Sequence, residues 1–109
     1  GVYAAVDFDE DYLLRNDGDG TFTDVSAAAG TLHVANDMGV AVADFDNDLD
    51  PDIYTTNITG GEECAVPWGC NMLYVNDGTG TFTDGTASHG LGDTRWGWGA
   101  CFFDADLDG

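Results

Sequence analysis

The chain has 109 residues, with 21 acidic side chains against two arginines and no lysine, for a formal net charge of -19 at pH 7. That balance excludes nucleic acid as an expected partner, because phosphate binding needs clustered Lys and Arg, and it argues against docking on an anionic membrane surface. No apolar run approaches the ~20 residues of a membrane-spanning helix, and no membrane insertion is expected.

A content of 43% apolar and 12% aromatic residues is too rich in core formers for a disordered chain. The carboxylates must therefore be solvated or neutralised by bound cations. The length allows one small domain, and 16 glycines against two prolines suit tight turns between short strands. One internal register dominates: Leu13–Leu49 repeats as Leu73–Gly109, with 15 identities in 37 positions at an offset of 60 residues. A period of this size marks a supersecondary unit that stacks on copies of itself.

In chain order, Asp7-Phe-Asp-Glu-Asp11 comes first and mimics Asp44-Phe-Asp-Asn-Asp48. Asn16-Asp-Gly-Asp-Gly-Thr-Phe-Thr-Asp24 then reads as a glycine turn and a return strand, and it recurs at Asn76–Asp84. Ser26–Ala29 can make one helical turn before Gly30. Gly39-Val-Ala-Val-Ala-Asp44 is a short apolar run, expected as a strand buried on both faces. Asp52–Asn57 and Asn71–Asn76 alternate and carry β-branched or aromatic residues, so both read as strands. Between them lies an insertion, 58–70, with Gly60-Gly61, Glu62-Glu63, Pro67 and two cysteines.

These segments predict an all-β fold of antiparallel, four-stranded, blade-like repeats, about two blades, in a β-propeller or an open array. The organisation expected is a partial first repeat over 1–38, a complete repeat over 39–98, and the start of another over 99–109. In repeat terms both ends are incomplete. Either the chain is part of a longer one or neighbours complete its ends.

The chemistry lies in Asp44-Phe-Asp-Asn-Asp-Leu-Asp-Pro-Asp52, with five aspartates at every second position. At ~4 Å each pair of like charges costs roughly 1–4 kcal/mol, so such a loop closes only around a cation. Calcium takes 6–8 oxygen ligands, magnesium holds its waters, and zinc would want histidine or thiolate. An EF-hand would need glycine at position 6 and glutamate at position 12; counted from Asp44, these are Leu49 and Thr55. The expected site is a β-hairpin calcium loop using the side chains of Asp44, Asp46, Asp48 and Asp52 and the carbonyl of Asp50. Asp104, Asp106 and Asp108 would begin a second such site, and Asp7, Asp9 and Asp11 a third.

The loop together with Gly39–Tyr54, Asn71–Asp84 and Trp98-Gly-Ala-Cys-Phe-Phe-Asp104 resembles the FG-GAP/VCBS repeats of integrin-α-type β-propellers, especially the bacterial group associated with ASPIC/UnbV domains. The resemblance implies secreted, calcium-binding, mostly non-catalytic repeats for adhesion, recognition or scaffolding. In that family position 6 of the loop is usually glycine, from which Leu49 departs.

Cys64 and Cys70 are placed to close a small disulfide loop within the insertion. Cys101 replaces Ala41 on what should be a buried strand. Asn57-Ile-Thr59 is an N-glycosylation sequon. Trp96 and Trp98 are expected in the core between blades, with an exposed aromatic patch as the alternative. Neither His33 nor His89 belongs to a triad, zinc or phosphate-binding pattern, so no enzyme is expected. The sequence thus points to an extracellular calcium-binding module whose partners are other repeats of the same or neighbouring chains and a protein or glycan ligand. A self-assembling filament and an accessory segment of a secreted enzyme are the alternatives.

Overall fold

The structure, a computed structural model, describes residues 1–58 and 70–106. The order is β1 (Val2–Ala4), β2 (Asp7–Glu10), β3 (Tyr12–Asn16), β4 (Phe22–Asp24), α1 (Ser26–Ala29), β5 (Val34–Ala43), β6 (Asp52–Asn57), β7 (Met72–Asn76), β8 (Phe82–Asp84) and α2 (Thr86–His89). The protein is all-β, as its strand patterns require, with two one-turn helices among the described residues. Its strands form two antiparallel sheets, β1-β3-β4 and β2-β5-β6-β7-β8, and neither closes into a barrel.

The repeat is visible in the registers. Tyr3 faces Leu13 and Leu14 faces Asp24 in the first unit. Tyr54 faces Leu73 and Tyr74 faces Asp84 in the second. Strands β1, β3 and β4 therefore correspond to β6, β7 and β8. In each unit the turn asparagine, Asn16 or Asn76, accepts a hydrogen bond from the glycine two residues on, 2.8 and 3.1 Å. The helical turns follow at matched positions, and each ends at a glycine in the left-handed region, Gly30 at φ 80° and Gly90 at φ 69°. A side chain at Gly30 would also meet the Phe82 carbonyl oxygen at 2.9 Å, so one unit leans on the other there.

The core is small. Leu73, Tyr74, Ile53, Ala41, Ala35 and Ala29 are buried; a fully buried leucine such as Leu73 contributes about 1.5–3 kcal/mol. Around it sit many buried polar groups, among them Asp11, Asp37, Asp52, Asn57 and Asn71. A core of this composition stands only if those groups are paired.

Three expectations change. First, Asp7–Asp11 is not a copy of Asp44–Asp48. By the register of β1 and β3 it occupies the place of the 58–70 insertion, and Asp7–Glu10 form β2, which pairs with the start of β5 at Asp7↔Asn36 and Glu10↔Val34. What the first unit lacks among the described residues is a first strand with its acidic loop. Second, Trp96 and Trp98 are 72% and 66% exposed. Third, Cys101 is exposed and free, although its counterpart Ala41 is buried. The last two go together: Ala41 lies on a strand paired to β6, whereas residues 96–103 form no strand.

Candidate functional site: the β5–β6 acidic loop

Strand β5 ends at Ala43 and β6 begins at Asp52, and the chain between them turns with Asn47 and Leu49 in the left-handed region, φ 62° and 77°. The aspartates set this turn. Asp44 accepts from the backbone N–H groups of Asp48 and Leu49, both at 3.0 Å. Asp48 accepts from the N–H of Asp50 at 2.9 Å. The left-handed φ at Leu49 is the physical reason a glycine suits position 6 of such a loop.

Asp44, Asp46 and Asp48 each bring a carboxylate oxygen within 4.8 Å of the others. Asp46's carboxyl is held above the usual carboxylate range, first by desolvation and then by the charges of Asp48, Asp52 and Asp44. Among the described residues no ion pair reaches these three carboxylates, which leaves them a hard-oxygen donor set. It fits calcium, which uses carboxylate and carbonyl oxygens, better than ions that prefer nitrogen or sulfur.

Asp52 stands apart from this group. It is fully buried, and its two oxygens accept from the N–H of Phe45 at 2.7 Å and of Asn76 at 2.8 Å. It braces the mouth of the loop and ties it to β7. Asp50 lies beside the following turn, where its carboxylate would touch any side chain placed at Gly78. Among the described residues, Asp104 and Asp106 join no metal-capable cluster, and Asp108 lies outside the described residues.

Asp7 and Asp9 sit on β2, while Asp11 is buried. Asp11 instead joins His33 and Asp37, whose donor atoms also lie within 4.8 Å of one another. That second cluster was missed in the sequence. Its signal was there: at the 60-residue offset Asp11 matches Asn71, Asp37 matches Gly97 and His33 matches Asp93. Burial, followed by the approach of Asp37, pushes the Asp11 carboxyl up to about 7. Burial also raises the Tyr3 and Tyr74 hydroxyls far above their ordinary value.

Much of the remaining negative charge is structural. Thr23 and Arg15 hold Asp17 below the usual range, Ser26 does so for Asp24, and Thr79 for Asp77. Cys70 is in a disulfide, while Cys64 lies outside the described residues. Asn57 is buried at the end of β6, and Thr59 of its sequon lies outside the described residues.

No helix among the described residues is long and apolar enough to cross a membrane. Residues 2–55 match the family model of the FG-GAP-like repeat. No curated protein matches the chain at a significant level.

Proposed function

As a protein that carries an FG-GAP-like repeat over residues 2–55, a generally non-catalytic module typical of extracellular or surface proteins, the chain is, we propose, a calcium-dependent extracellular module for adhesion, recognition or scaffolding. The observation that carries this reading is the convergence of Asp44, Asp46 and Asp48 within 4.8 Å on one loop. Calcium there would take the place of the repulsion among the three charges and leave the loop closed. Asp50 would support the ion from the loop's second half, and Asp52 would hold the loop's mouth through the Phe45 and Asn76 N–H groups. Asp104, Asp106 and Asp108 would begin a second site of the same kind.

A protein or glycan ligand would meet the blade-connecting loops, as would other repeats of the same or a neighbouring chain. The exposed Trp96 and Trp98 favour contact with such a partner, because large apolar side chains clustered at a surface mark interaction sites. Repeat-to-repeat contact of this kind is also the route to a filament.

The test is calorimetric titration of the chelated chain with CaCl₂, paired with melts in CaCl₂ and in EDTA. Calcium at 100 times its Kd adds about 2.7 kcal/mol of stability per site. An unchanged melt in EDTA, or equal calcium uptake by an Asp44→Asn/Asp46→Asn/Asp48→Asn variant, would sink the reading.

A further inference from the structure

The two units use the same buried position differently. In the second, Asn71 accepts from the Asn57 N–H at 2.8 Å and donates to Tyr54 Oη at 2.9 Å and Thr94 Oγ1 at 2.7 Å, so a neutral amide satisfies its neighbours. In the first, Asp11 accepts from the Val6 N–H at 2.8 Å in the same way. Its other oxygen, however, accepts from Tyr3 Oη at 2.6 Å. Where the second unit has Gly97, the first has Asp37, and the connection from the first unit supplies His33.

The result is a second carboxylate and an imidazole packed against Asp11, with Asp11, Asp37 and His33 only 0%, 2% and 8% exposed. One imidazolium at most faces two carboxylates. Their donors do not complete the pairing. Asp37 Oδ2 meets His33 Nδ1 at 3.2 Å and accepts from Thr55 Oγ1 at 3.3 Å, but Asp37 Oδ1 is buried with no hydrogen-bond partner among the described residues. The hydroxyl of Tyr74, 2% exposed, sits beside that of Tyr3 and lies near enough to Asp11 and Asp37 to feel both charges. A buried carboxylate oxygen left without a donor, beside a second buried carboxylate, points to a missing cation.

We propose that Asp11, His33 and Asp37 form a buried site for a zinc-class first-row divalent cation, separate from the calcium loop. The geometry suits such an ion. Donors ~2.0–2.2 Å from a tetrahedral zinc sit roughly 3.2–3.6 Å from one another, and His33 Nδ1 and Asp37 Oδ2 are 3.2 Å apart. An imidazole nitrogen among carboxylates selects zinc and its neighbours over calcium. The ion also has a structural post. Asp11 belongs to the first unit, His33 and Asp37 to the strand β5 and its approach, and Thr55 and Tyr74 to the second unit, so the cation would clamp the joint between two blades.

The test uses the tag-free full chain, stripped with chelator and dialysed against limiting Zn²⁺ in excess Ca²⁺, with bound metal measured by mass spectrometry. One Zn²⁺ per chain is expected in the wild type and in the Asp44→Asn/Asp46→Asn/Asp48→Asn variant. It should be lost in His33→Gln and in Asp37→Gly, the latter taking the residue of the second unit. Since either single variant could fail to fold, ring-nitrogen NMR of wild-type His33 provides an independent reading, and Zn²⁺ should shift it. No Zn²⁺ uptake, uptake kept in His33→Gln, uptake lost with the acidic-loop triad, or an unmoved His33 resonance each overturns the proposal.

Discussion

Asp52→Ala separates a brace from a ligand. In the structure the Asp52 carboxylate is fully buried and accepts two backbone hydrogen bonds, from Phe45 at 2.7 Å and Asn76 at 2.8 Å. Removing it leaves two backbone donors without their acceptor, at about 1–3 kcal/mol each. The expected loss is about 4 kcal/mol, a large share of the roughly 5–15 kcal/mol that stabilises an ordinary domain. With about 4–8 °C of melting temperature per kcal/mol in a domain of this size, the melt should fall by roughly 15–30 °C. The assay is thermal denaturation followed by circular dichroism, once in EDTA and once in CaCl₂. A brace acts without metal, so most of the loss should appear in EDTA. Asp52→Asn, which keeps one acceptor oxygen, should lose about half as much. If both variants melt with the wild type in EDTA and differ from it only in calcium, Asp52 is a ligand and the reasoning fails.

Four further outcomes are expected. Gly39→Ala should destabilise by about 1–3 kcal/mol, because its Cβ would lie 2.8 Å from both Thr56 Oγ1 and the Trp98 carbonyl oxygen; an unchanged denaturation midpoint would contradict that packing. Leu49→Gly should raise the melting temperature, since a non-glycine residue at φ 77° costs roughly 1–2 kcal/mol, and a lowered melt in calcium would remove the strain argument. In chelator, Asp11 should make the fold weaken as pH rises from about 4 to about 7: its folded pKa is raised from 3.8 to about 7, so the folded state holds the proton that the unfolded state releases first. Asp11→Asn, which copies Asn71, should flatten that part of the profile, measured as the wild-type-minus-variant difference in midpoint across the range. Ser26→Ala should cost about 1–3 kcal/mol, because its hydroxyl accepts the Leu13 N–H at 2.8 Å, as Thr86 does for Leu73 at 2.9 Å; equal urea midpoints would refute that role.

The local devices of this fold were legible residue by residue. Asn-Asp-Gly turns, one helical turn before Gly30, and the strands Asp52–Asn57 and Asn71–Asn76 (β7 itself starting at Met72) follow from short-range chemistry: glycines that tolerate positive φ, asparagine oxygens within reach of an N–H two residues on, and alternation of apolar and polar side chains. The cluster of Asp44, Asp46 and Asp48 was legible for the same reason, since its carboxylates lie within five residues of one another.

The non-local assignments were not. Spacing suggested that Asp7, Asp9 and Asp11 repeat the acidic loop, but only the pairing of β1 with β3 shows that they stand where the insertion does in the second unit. Nothing within the segment Asp44–Asp52 says that its last carboxylate will be claimed by Asn76, 24 residues on. The exposure of Trp96, Trp98 and Cys101 depends on whether a strand lies against them, which their own side chains do not encode. Most of all, Asp11, His33 and Asp37 are scattered in sequence, and they meet because β2 pairs with the start of β5 and carries Asp11 to the level of His33, whose carbonyl accepts the Asp11 N–H at 2.9 Å. Sequence alone determined the repeat, its turns and one acidic loop, because those rest on neighbours along the chain. The tertiary structure decided which carboxylates brace, which gather at the surface and which are driven together inside, because that depends on strand register, and register is set by the whole sheet.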